Sequence, residues 1–485
     1  MKKIGSLKVT LLSTVVFCFS FSAKAQDYLP EGRVITQQEQ EPETDANILK
    51  AVADWQDLKF GFFMHWGMYA QAQVVESWSI CNEEWIDRKG QPYEKYKNWY
   101  FDLNKTFNPK QFNPTKWAEM AKKAGMKYVV FTTKHHDGFC MYDTKLTDYK
   151  ITDKSSPFGR EDGRDVTGEV IKAFRDKGFS IGLYFSKADW HNQDYWSDQW
   201  ATPDRNVNYN IPKHKDMWQR FCDFTYGQIK ELTHNYGKID ILWLDGGWIR
   251  PEWSVKPGSD EETWLGAYKR IQDIDMPKIA KMARENNPSM IIVNRSVGGQ
   301  FENYRTPEKA IPDEPLDYPW ETCMTMGDSW SYVANDNYKS TNTLIHMLVD
   351  VVCKGGNFLL NVGPDEQGNL PVAATSRMDS IGKWMDINGK AIYSTKPIAP
   401  YKQDGICYTQ GKNGQIYAII LIDDTTALRT KYDIPQFKGL KKGKKTILGN
   451  SNKAKLEVSA KSNKLILTDK FIKTNKEKNA IVVEL

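Results

Sequence analysis

Apolar runs recur along the chain, and several of them end abruptly at polar residues of the kinds that catalyse reactions. The four clearest are Gly61–Gly67, Tyr128–Gly138, Ile181–Lys187 and Ile239–Gly247. A continuous apolar run of about four to eight residues is typical of a strand buried on both faces, as in a parallel sheet. In a (β/α)8 barrel the active site is built at the carboxyl ends of such strands. The pattern therefore predicts an α/β barrel with its catalytic residues at those ends.

Segments with helical periodicity alternate with the strands. The predicted helices are Pro114–Gly125, Asp165–Lys177, Met217–Tyr236, Tyr268–Asn286 and Thr341–Cys353, and two further predicted strands are Ser289–Arg295 and Asn357–Gly363. Repeated units of strand then helix imply right-handed crossovers and a parallel sheet. After Ile392 the pattern changes to short alternating runs separated by turns, which favours an antiparallel β-sandwich.

The chain of 485 residues thus divides into four predicted parts. Residues 1–25 have the basic start, apolar stretch and Ala23-Lys24-Ala25 cleavage pattern of a signal peptide. A polar leader follows over 26–48, then the barrel over 49–392 and the sandwich over 393–485. We expect a periplasmic or secreted protein with no membrane span, because the apolar stretch is too short for one. A lipoprotein anchored through Cys18 ranks lower, because Phe17 is too bulky for a lipobox.

The composition of the chain indicates which kinds of molecule it is expected to bind. The net charge is +5, and the lysines between 438 and 478 are expected to form a solvated face, since the chain has no nucleic-acid-binding motif. The 17 tryptophans weakly favour carbohydrate binding, because sugar rings stack on aromatic side chains. Export permits disulfides. We nevertheless expect the six cysteines beyond the signal peptide to be mostly free and buried, because the core is large enough not to need crosslinks.

Asp245 is the strongest catalytic candidate. It ends a predicted strand and precedes two glycines, which let a substrate approach closely. A carboxylate at this position suits attack on an anomeric carbon, with a covalent glycosyl–enzyme intermediate. The alternative is a structural aspartate that caps a helix.

Three histidines follow predicted strands. His135 and His136 are adjacent, and His65 stands between Met64 and Trp66. Hydrogen bonding to sugar hydroxyls is favoured over metal binding, because no third ligand lies at a recognisable spacing. One catalytic and one structural histidine in the adjacent pair is the alternative. We therefore predict no metal and no other cofactor.

The acid/base residue remains open from the pattern alone. Retaining hydrolysis needs a second carboxyl group roughly 5–5.5 Å from the nucleophile. Glu302, Glu308, Glu314 and Glu321 all follow Arg295 in the chain, and their spacing does not select one of them.

Six motifs in order resemble the α-L-fucosidases of glycoside hydrolase family 29. They are His65-Trp-Gly, Lys134-His-His-Asp-Gly-Phe139, Leu242-Trp-Leu-Asp-Gly-Gly247, Tyr304-Arg-Thr-Pro-Glu308, Trp320–Trp330 and Asn357–Pro364. The resemblance covers about residues 50 to 395, and the tail is similar to that family's C-terminal sandwich. It implies a retaining exo-glycosidase without a metal, acting on a fucosylated oligosaccharide or glycoconjugate.

The resemblance also implies residue roles. The nucleophile would be Asp245, and the acid/base would be Glu308, with Glu302 and Glu321 as rivals. The residues implied to contact the sugar are His65, His135, His136, Tyr184, Trp78, Arg295 and Trp330. Two segments, Glu76-Ser-Trp78 and Glu83-Glu84-Trp85, compete for the family's Glu-Trp pair, and we choose Trp78.

Two other functions remain open at this point. A related enzyme could cut α-L-galactosides, which carry a C6 hydroxyl where fucosides carry a methyl. Trp330, Met324 and Met326 favour the methyl, although an apolar pocket rejects an added hydroxyl only modestly. A non-catalytic fucose-binding barrel is the third possibility, and the presence of both Asp245 and Glu308 argues against it. A homo-oligomer is compatible with the sequence.

Overall fold

The computed structural model describes residues 43–84, 86, 88, 90–255, 257–258, 262–263, 265–266, 270–293, 295, 301–423 and 428–485. The predicted signal peptide and residues 26–42 of the predicted leader lie outside this part of the chain. The first described element, helix α1, spans Ala46–Leu58 and is capped by the side chain of Asp45.

Seven parallel strands form a curled sheet. They are β1 (Phe60–Met64), β2 (Tyr128–Lys134), β3 (Ser180–Ser186), β4 (Ile241–Asp245), β5 (Ile291–Ile292), β6 (Glu321–Thr325) and β7 (Asn357–Asn361). Their order across the sheet is β5-β4-β3-β2-β1-β7-β6. Every residue of β1, β2, β6 and β7 is buried. This agrees with the apolar centres of β1, β2 and β7 and with helices covering the outer face of the sheet, whereas β6 buries polar residues as well.

A short segment, 304–308, connects the two ends of the sheet. Tyr304 forms an isolated parallel bridge with Val293, just beyond β5. Arg305 forms a parallel bridge with Trp320, just before β6, and Glu308 forms one with Cys323 within it. Backbone hydrogen bonds from Arg305 to Pro319, from Glu321 to Arg305 and from Lys309 to Cys323 join the same stretch to β6. The segment therefore occupies the place of the remaining barrel strand.

The helices of the barrel part follow the predicted alternation. They are α2 (Met68–Ala72), α3 (Tyr93–Phe101), α4 (Pro114–Lys123), α5 (Pro157–Glu161), α6 (Val166–Asp176), α7 (Lys215–His234), α8 (Met276–Ala283), α9 (Thr341–Cys353) and α10 (Val372–Asn388). None of the helices in the described residues has the length and apolarity that a bilayer crossing requires.

Two predicted elements are shorter than expected. The helix predicted over Tyr268–Asn286 is wrong over 270–275, because α8 begins only at Met276, while residues 268 and 269 lie outside the described residues. Asp275 caps that helix, and Pro277 occupies its first turn, where a missing N–H costs nothing. The strand predicted over Ser289–Arg295 is reduced to the two residues of β5.

The C-terminal part is an antiparallel sheet of eight strands. They are β8 (Thr395–Gln403), β9 (Ile406–Gly411), β10 (Ile416–Leu421), β11 (Lys431–Ile434), β12 (Gly443–Ile447), β13 (Lys453–Val458), β14 (Asn463–Ile466) and β15 (Ala480–Glu484), with helix α11 at Asp469–Thr474. Tyr408 of β9 packs against Phe437, which follows β11 at the other end of the strand order, at 5.1 Å between ring centroids. The sheet therefore folds over its own core. The predicted fold class, a (β/α)8-type barrel followed by a C-terminal antiparallel β-sandwich, is confirmed by the curled parallel sheet of seven strands and the antiparallel sheet of eight.

Candidate active site

The predicted site residues converge at the carboxyl edge of the parallel sheet. Asp245 ends β4, and Tyr184 lies on the neighbouring strand β3. His135 and His136 follow β2 directly, and His65 follows β1. Residues that are far apart in sequence meet here because parallel strands end at the same edge.

Asp245 is held by donors on both of its carboxylate oxygens. The hydroxyl of Tyr184 donates to Oδ2 at 2.7 Å, and the backbone N–H of Gly246 donates to Oδ1 at 2.7 Å. Gly246 adopts a φ of +88°, which favours glycine at this turn. Burial raises the pKa of Asp245 above its usual value, and these hydrogen bonds oppose that rise.

Arg295 lies between two carboxylates. Its Nη1 is 3.5 Å from Oδ1 of Asp245, and its Nη2 is 3.2 Å from Oε2 of Glu308. The guanidinium group lies over the ring of Trp243, at 4.9 Å from the centroid. The Arg295 side chain is 2% exposed, whereas those of Asp245 and Glu308 are 17% and 25% exposed. One buried cation thus draws together two carboxylates that remain open to a ligand.

Glu302 and Glu321, the rival acids, face other groups. Glu302 pairs with Arg305 at 3.0 Å, and burial raises its pKa to about 7. Glu321 is fully buried at the start of β6, where it accepts hydrogen bonds from Tyr128 and Trp243, and its pKa is also raised to about 7 by burial. Neither side chain forms an ion pair with Arg295 among the described contacts. Glu314 lies on the exposed surface.

The three histidines are oriented through their Nδ1 atoms. Nδ1 of His65 is 2.8 Å from Oδ1 of Asn361, an acceptor, so this nitrogen carries the proton. Nδ1 of His136 is 2.6 Å from Oγ of Ser186, whose own proton goes to the carbonyl of Ala188. In both residues Nε2 is consequently the free acceptor.

The same histidines are kept neutral. Burial lowers the pKa of His65 to about 3, and it lowers the pKa values of His135 and His136 well below the usual value. Nδ1 of His135 contacts Oγ of Ser77 at 2.5 Å. Nε2 of His136 is 3.8 Å from Oδ2 of Asp245. Because Nε2 of His136 and this carboxylate oxygen are both acceptors, they form no hydrogen bond with each other.

Aromatic rings wall the site on two sides. Around His136 stand Trp78, Trp190 and Trp248, with centroids at 5.4, 5.0 and 5.2 Å. On the other side the ring of Trp330 lies 5.0 Å from that of His65. Trp85, the alternative to Trp78, lies outside the described residues.

Two further groups of the site were not among the predicted residues. Glu76 is buried at 5% exposure, and burial raises its pKa to about 8, with Glu308 and Asp245 adding to the rise and Lys309 opposing it. Lys187 is buried, and its ammonium group donates to the carbonyls of Ile249 and Arg295. It thereby fixes the backbone that carries the central guanidinium group.

One set of side chains at the site could hold a metal ion. His135, His136 and Asp245 each offer a ligand atom, and these atoms lie within 4.8 Å of one another. The fold thus supplies the third ligand that sequence spacing did not reveal. Imidazole and carboxylate ligands together suit zinc or iron.

The family model for α-L-fucosidase matches residues 28–390. The chain belongs to the α-L-fucosidase family. It is a glycoside hydrolase of that family, as the six motifs indicated, and the predicted family membership is confirmed.

Known α-L-fucosidases resemble the chain along most of its length. The tissue α-L-fucosidase of Bos taurus is 29% identical over 399 residues, covering 78% of this chain and 76% of its own. Among solved structures, α-L-fucosidase isoenzyme 1 from Paenibacillus thiaminolyticus has a TM-score of 0.72 and 30% identity, covering 90% of this chain and 99% of its own.

A third comparison concerns chemistry. A family 29 α-L-fucosidase from Bacteroides thetaiotaomicron has a TM-score of 0.69 and 26% identity, covering 92% of this chain and 97% of its own. That structure is of a trapped covalent intermediate, obtained with 2-fluoro-fucosyl fluoride and a mutant in which glutamine replaces glutamate.

Proposed function

We propose that this member of the α-L-fucosidase family is an exported, retaining exo-glycosidase that removes terminal α-L-fucose from glycans. Asp245 is the nucleophile and Glu308 the acid/base. The observation that carries the proposal is the position of Arg295, which contacts both carboxylates with one guanidinium group. Retaining hydrolysis places the two carboxyl groups roughly 5–5.5 Å apart, and a separation of that order fits two carboxylates that flank one guanidinium group.

In the first step Asp245 attacks the anomeric carbon while Glu308 protonates the departing glycosidic oxygen. The product is a covalent fucosyl–enzyme ester. In the second step Glu308 takes a proton from water, which attacks the same carbon and releases fucose with retained configuration. The trapped covalent intermediate of the Bacteroides relative supports this double displacement.

The surroundings of Asp245 favour attack. The nucleophile must be ionised, and burial alone would oppose ionisation. The Tyr184 hydroxyl, the Gly246 N–H and Arg295 stabilise the anion without covering it. These donors also fix the direction of the carboxylate, which reduces the entropy lost on reaching the transition state.

The neutral histidines bind the sugar hydroxyls. Nε2 of His65 and Nε2 of His136 are acceptors, so each can accept a hydrogen bond from a sugar hydroxyl. Trp330, beside His65, provides an apolar surface for the C6 methyl group that distinguishes fucose from galactose. Burying one methyl or methylene contributes about 1–3 kcal/mol of selectivity.

Export is part of the proposal and rests on the sequence of residues 1–25. The mature chain should begin near Gln26, and Edman sequencing of protein recovered from the periplasm or the medium tests this directly. A lipid-modified Cys18 would instead support the lipoprotein alternative, and an uncleaved cytoplasmic chain would overturn the export proposal.

The mechanism is tested by the variant Asp245→Gly. Turnover of an aryl α-L-fucoside should fall by several orders of magnitude, because the nucleophile acts in the transition state. Azide should restore part of the rate and give a fucosyl azide of inverted configuration. Unchanged turnover in this variant, or a rescued product with retained configuration, would overturn the role of Asp245.

A further inference from the structure

Two cysteines from different parts of the fold meet where the barrel packs against the C-terminal sheet. Cys353 is the last residue of helix α9, and Cys407 lies on strand β9. Both side chains are fully buried, at 0% exposure. Their sulfur atoms and a carboxylate oxygen of Asp350 lie within 4.8 Å of one another.

The charges around the pair argue against a metal site. Lys354 is 3.1 Å from Oδ2 of Asp350, and Lys402 of strand β8 is 3.1 Å from Oδ1. Both carboxylate oxygens are thus neutralised by ammonium groups, which would repel a divalent cation. The Asp350 side chain is better explained as the anchor of two lysines. The thiol of Cys353 donates to the backbone carbonyl of Asp350 at 3.2 Å, and the sulfur of Cys407 lies beside it.

The other described cysteines have different neighbours. The thiol of Cys140 accepts from the amide of Gln228 at 3.3 Å, and the thiol of Cys323 is 3.9 Å from the carbonyl of Pro307. Cys222 is half-buried and lies 3.7 Å from the carbonyl of Asp273. Among the groups of clustered ligand atoms in the described residues, Cys353 and Cys407 are the cysteines that occur together.

We propose that Cys353 and Cys407 form a disulfide bond that joins the barrel covalently to the C-terminal sheet. The oxidant is a disulfide donor, either a small molecule or a protein. The thiolate of one cysteine attacks a donor sulfur, and one donor thiol leaves. The second cysteine thiolate then attacks that mixed disulfide and releases the second donor thiol. Two protons pass from the cysteines to the two donor thiols, so the exchange balances.

The exchange takes place before the two parts pack together. The hydrogen bond to Cys407 and then burial raise the pKa of Cys353, so the thiolate is scarce once the interface has formed. In the unfolded chain both thiols are accessible and ordinary in reactivity. The bond therefore forms during folding in an oxidising compartment, and the packed interface then protects it from reduction.

The crosslink would stabilise the interface and the site beyond it. Helix α9 leads into strand β7, whose last residue, Asn361, orients His65. The loop closed between positions 353 and 407 is long, so the bond removes much conformational freedom from the unfolded chain. The oxidised enzyme should keep its activity to higher temperature than the reduced enzyme.

The test refolds the full chain from denaturant with a mixture of oxidised and reduced glutathione. Remaining thiols are then alkylated, and the peptides are mapped by mass spectrometry without reduction. We expect a peptide pair linked through Cys353 and Cys407, with Cys81, Cys140, Cys222 and Cys323 alkylated. Reduction should lower the midpoint of thermal unfolding by on the order of 5 °C.

Matched variants distinguish the effect of the disulfide bond from the effect of removing any buried thiol. In Cys353→Ser or Cys407→Ala, the linked peptide should vanish and the midpoint should no longer respond to reductant. In the control Cys323→Ser, both should remain as in the wild type. The mass readout requires neither turnover nor export, so it is independent of the proposed mechanism.

Three outcomes would overturn the proposal. They are the recovery of all six described cysteines in alkylated form after oxidative refolding, a dominant link through Cys222, and zinc retained in stoichiometric amount that protects Cys353 and Cys407 until a chelator is added. The last result would assign the cluster with Asp350 to a metal instead.

Discussion

The hydroxyl of Tyr184 donates a 2.7 Å hydrogen bond to Oδ2 of Asp245. The two residues lie on neighbouring parallel strands, in which Ser186 is paired with Asp245. The bond favours the carboxylate form of Asp245, whereas burial favours the protonated form. Under the proposed mechanism, the balance between them determines the pH above which Asp245 is ionised and able to attack.

Replacing Tyr184 by Phe should therefore move the acid limb of kcat/KM to higher pH. That limb reports the pKa of the essential base in the free enzyme. A hydrogen bond to a charged group contributes about 1.5–3 kcal/mol, and about 1.4 kcal/mol corresponds to one pH unit, so we expect a shift of roughly one to two units. The pH dependence of kcat/KM with an aryl fucoside measures this shift.

Tyr408→Phe, which removes a buried hydroxyl in the C-terminal sheet, is the control and should leave the limb unmoved. An unmoved limb in Tyr184→Phe would contradict the role of Tyr184.

The second prediction assigns the acid. Glu308→Gln should slow the cleavage of fucosides with poor leaving groups by roughly 10²–10⁴-fold. Activated aryl leaving groups depart without protonation. The first step of hydrolysis should therefore be much less affected for aryl fucosides that carry them, and the covalent intermediate should accumulate. Burst kinetics across a leaving-group series measure both effects.

Glu302→Gln and Glu321→Gln are the matched variants for this comparison. Both remove a buried carboxyl group that faces partners other than Arg295. They should alter the stability of the fold but should not selectively slow the cleavage of fucosides with poor leaving groups. If Glu308→Gln behaves as the wild type does while Glu302→Gln or Glu321→Gln shows that selective loss, the acid is the residue whose variant shows it.

The third prediction concerns Glu76 and the pH dependence of stability. Its pKa is raised to about 8 by burial, whereas glutamate in an unfolded chain titrates near 4.3. Between these pH values the folded state retains a proton that the unfolded state has released. The free energy of unfolding should therefore fall as the pH rises, by at most about 1.4 kcal/mol per pH unit from this group.

Glutamine at position 76 stays neutral, so Glu76→Gln should flatten this decline. Urea unfolding from about pH 5 to about pH 8 measures the free energy of unfolding in both proteins. Glu94→Gln, on the exposed first turn of α3, should leave the decline unchanged. Parallel curves for Glu76→Gln and the wild type would show that Glu76 is ionised in the folded state.

The fourth prediction is that activity survives prolonged dialysis against EDTA. The histidines are already oriented by Asn361, Ser77 and Ser186, and hydrogen bonds to hydroxyls require no ion. Rates before and after dialysis, with metal content measured by mass spectrometry, test this. Loss of activity with recovery on adding zinc would assign His135, His136 and Asp245 to a metal.

Much of the fold and part of the site could be predicted from the sequence, because polar residues of the catalytic types stand where the apolar runs end. Asp245, His65, His135 and His136 were predictable because each follows a buried apolar run, and the sheet brings those ends together. Glu76 lies in one of the two segments that compete for the family's Glu-Trp pair. Its burial was not predictable, because it lies before the 3-10 turn Ser77–Ile80 and only tertiary packing buries it. The same limit applies to Lys187, whose role depends on the carbonyls of two distant loops.

The wrong helix start has a local cause. Tyr268, Ile271 and Ile274 repeat every third residue, which imitates a helical face. Asp275 instead adopts a φ of 56° and caps the helix, and Pro277 fixes its first turn. Periodicity therefore overextended the helix, whereas the cap and the proline marked its beginning correctly.

The segment 304–308 fixes where the second carboxylate lies relative to the first. Asp245 terminates a strand whose register is set by its neighbours. Glu308 lies on a stretch that exchanges backbone hydrogen bonds with the residues around β6, from the N–H of Arg305 to Pro319, of Glu321 to Arg305 and of Lys309 to Cys323. Both carboxylates are therefore held by backbone pairing, toward opposite edges of the seven-stranded sheet. Their separation depends on how tightly the sheet closes through this segment, so a change that widened the closure would pull apart the two groups proposed to act together.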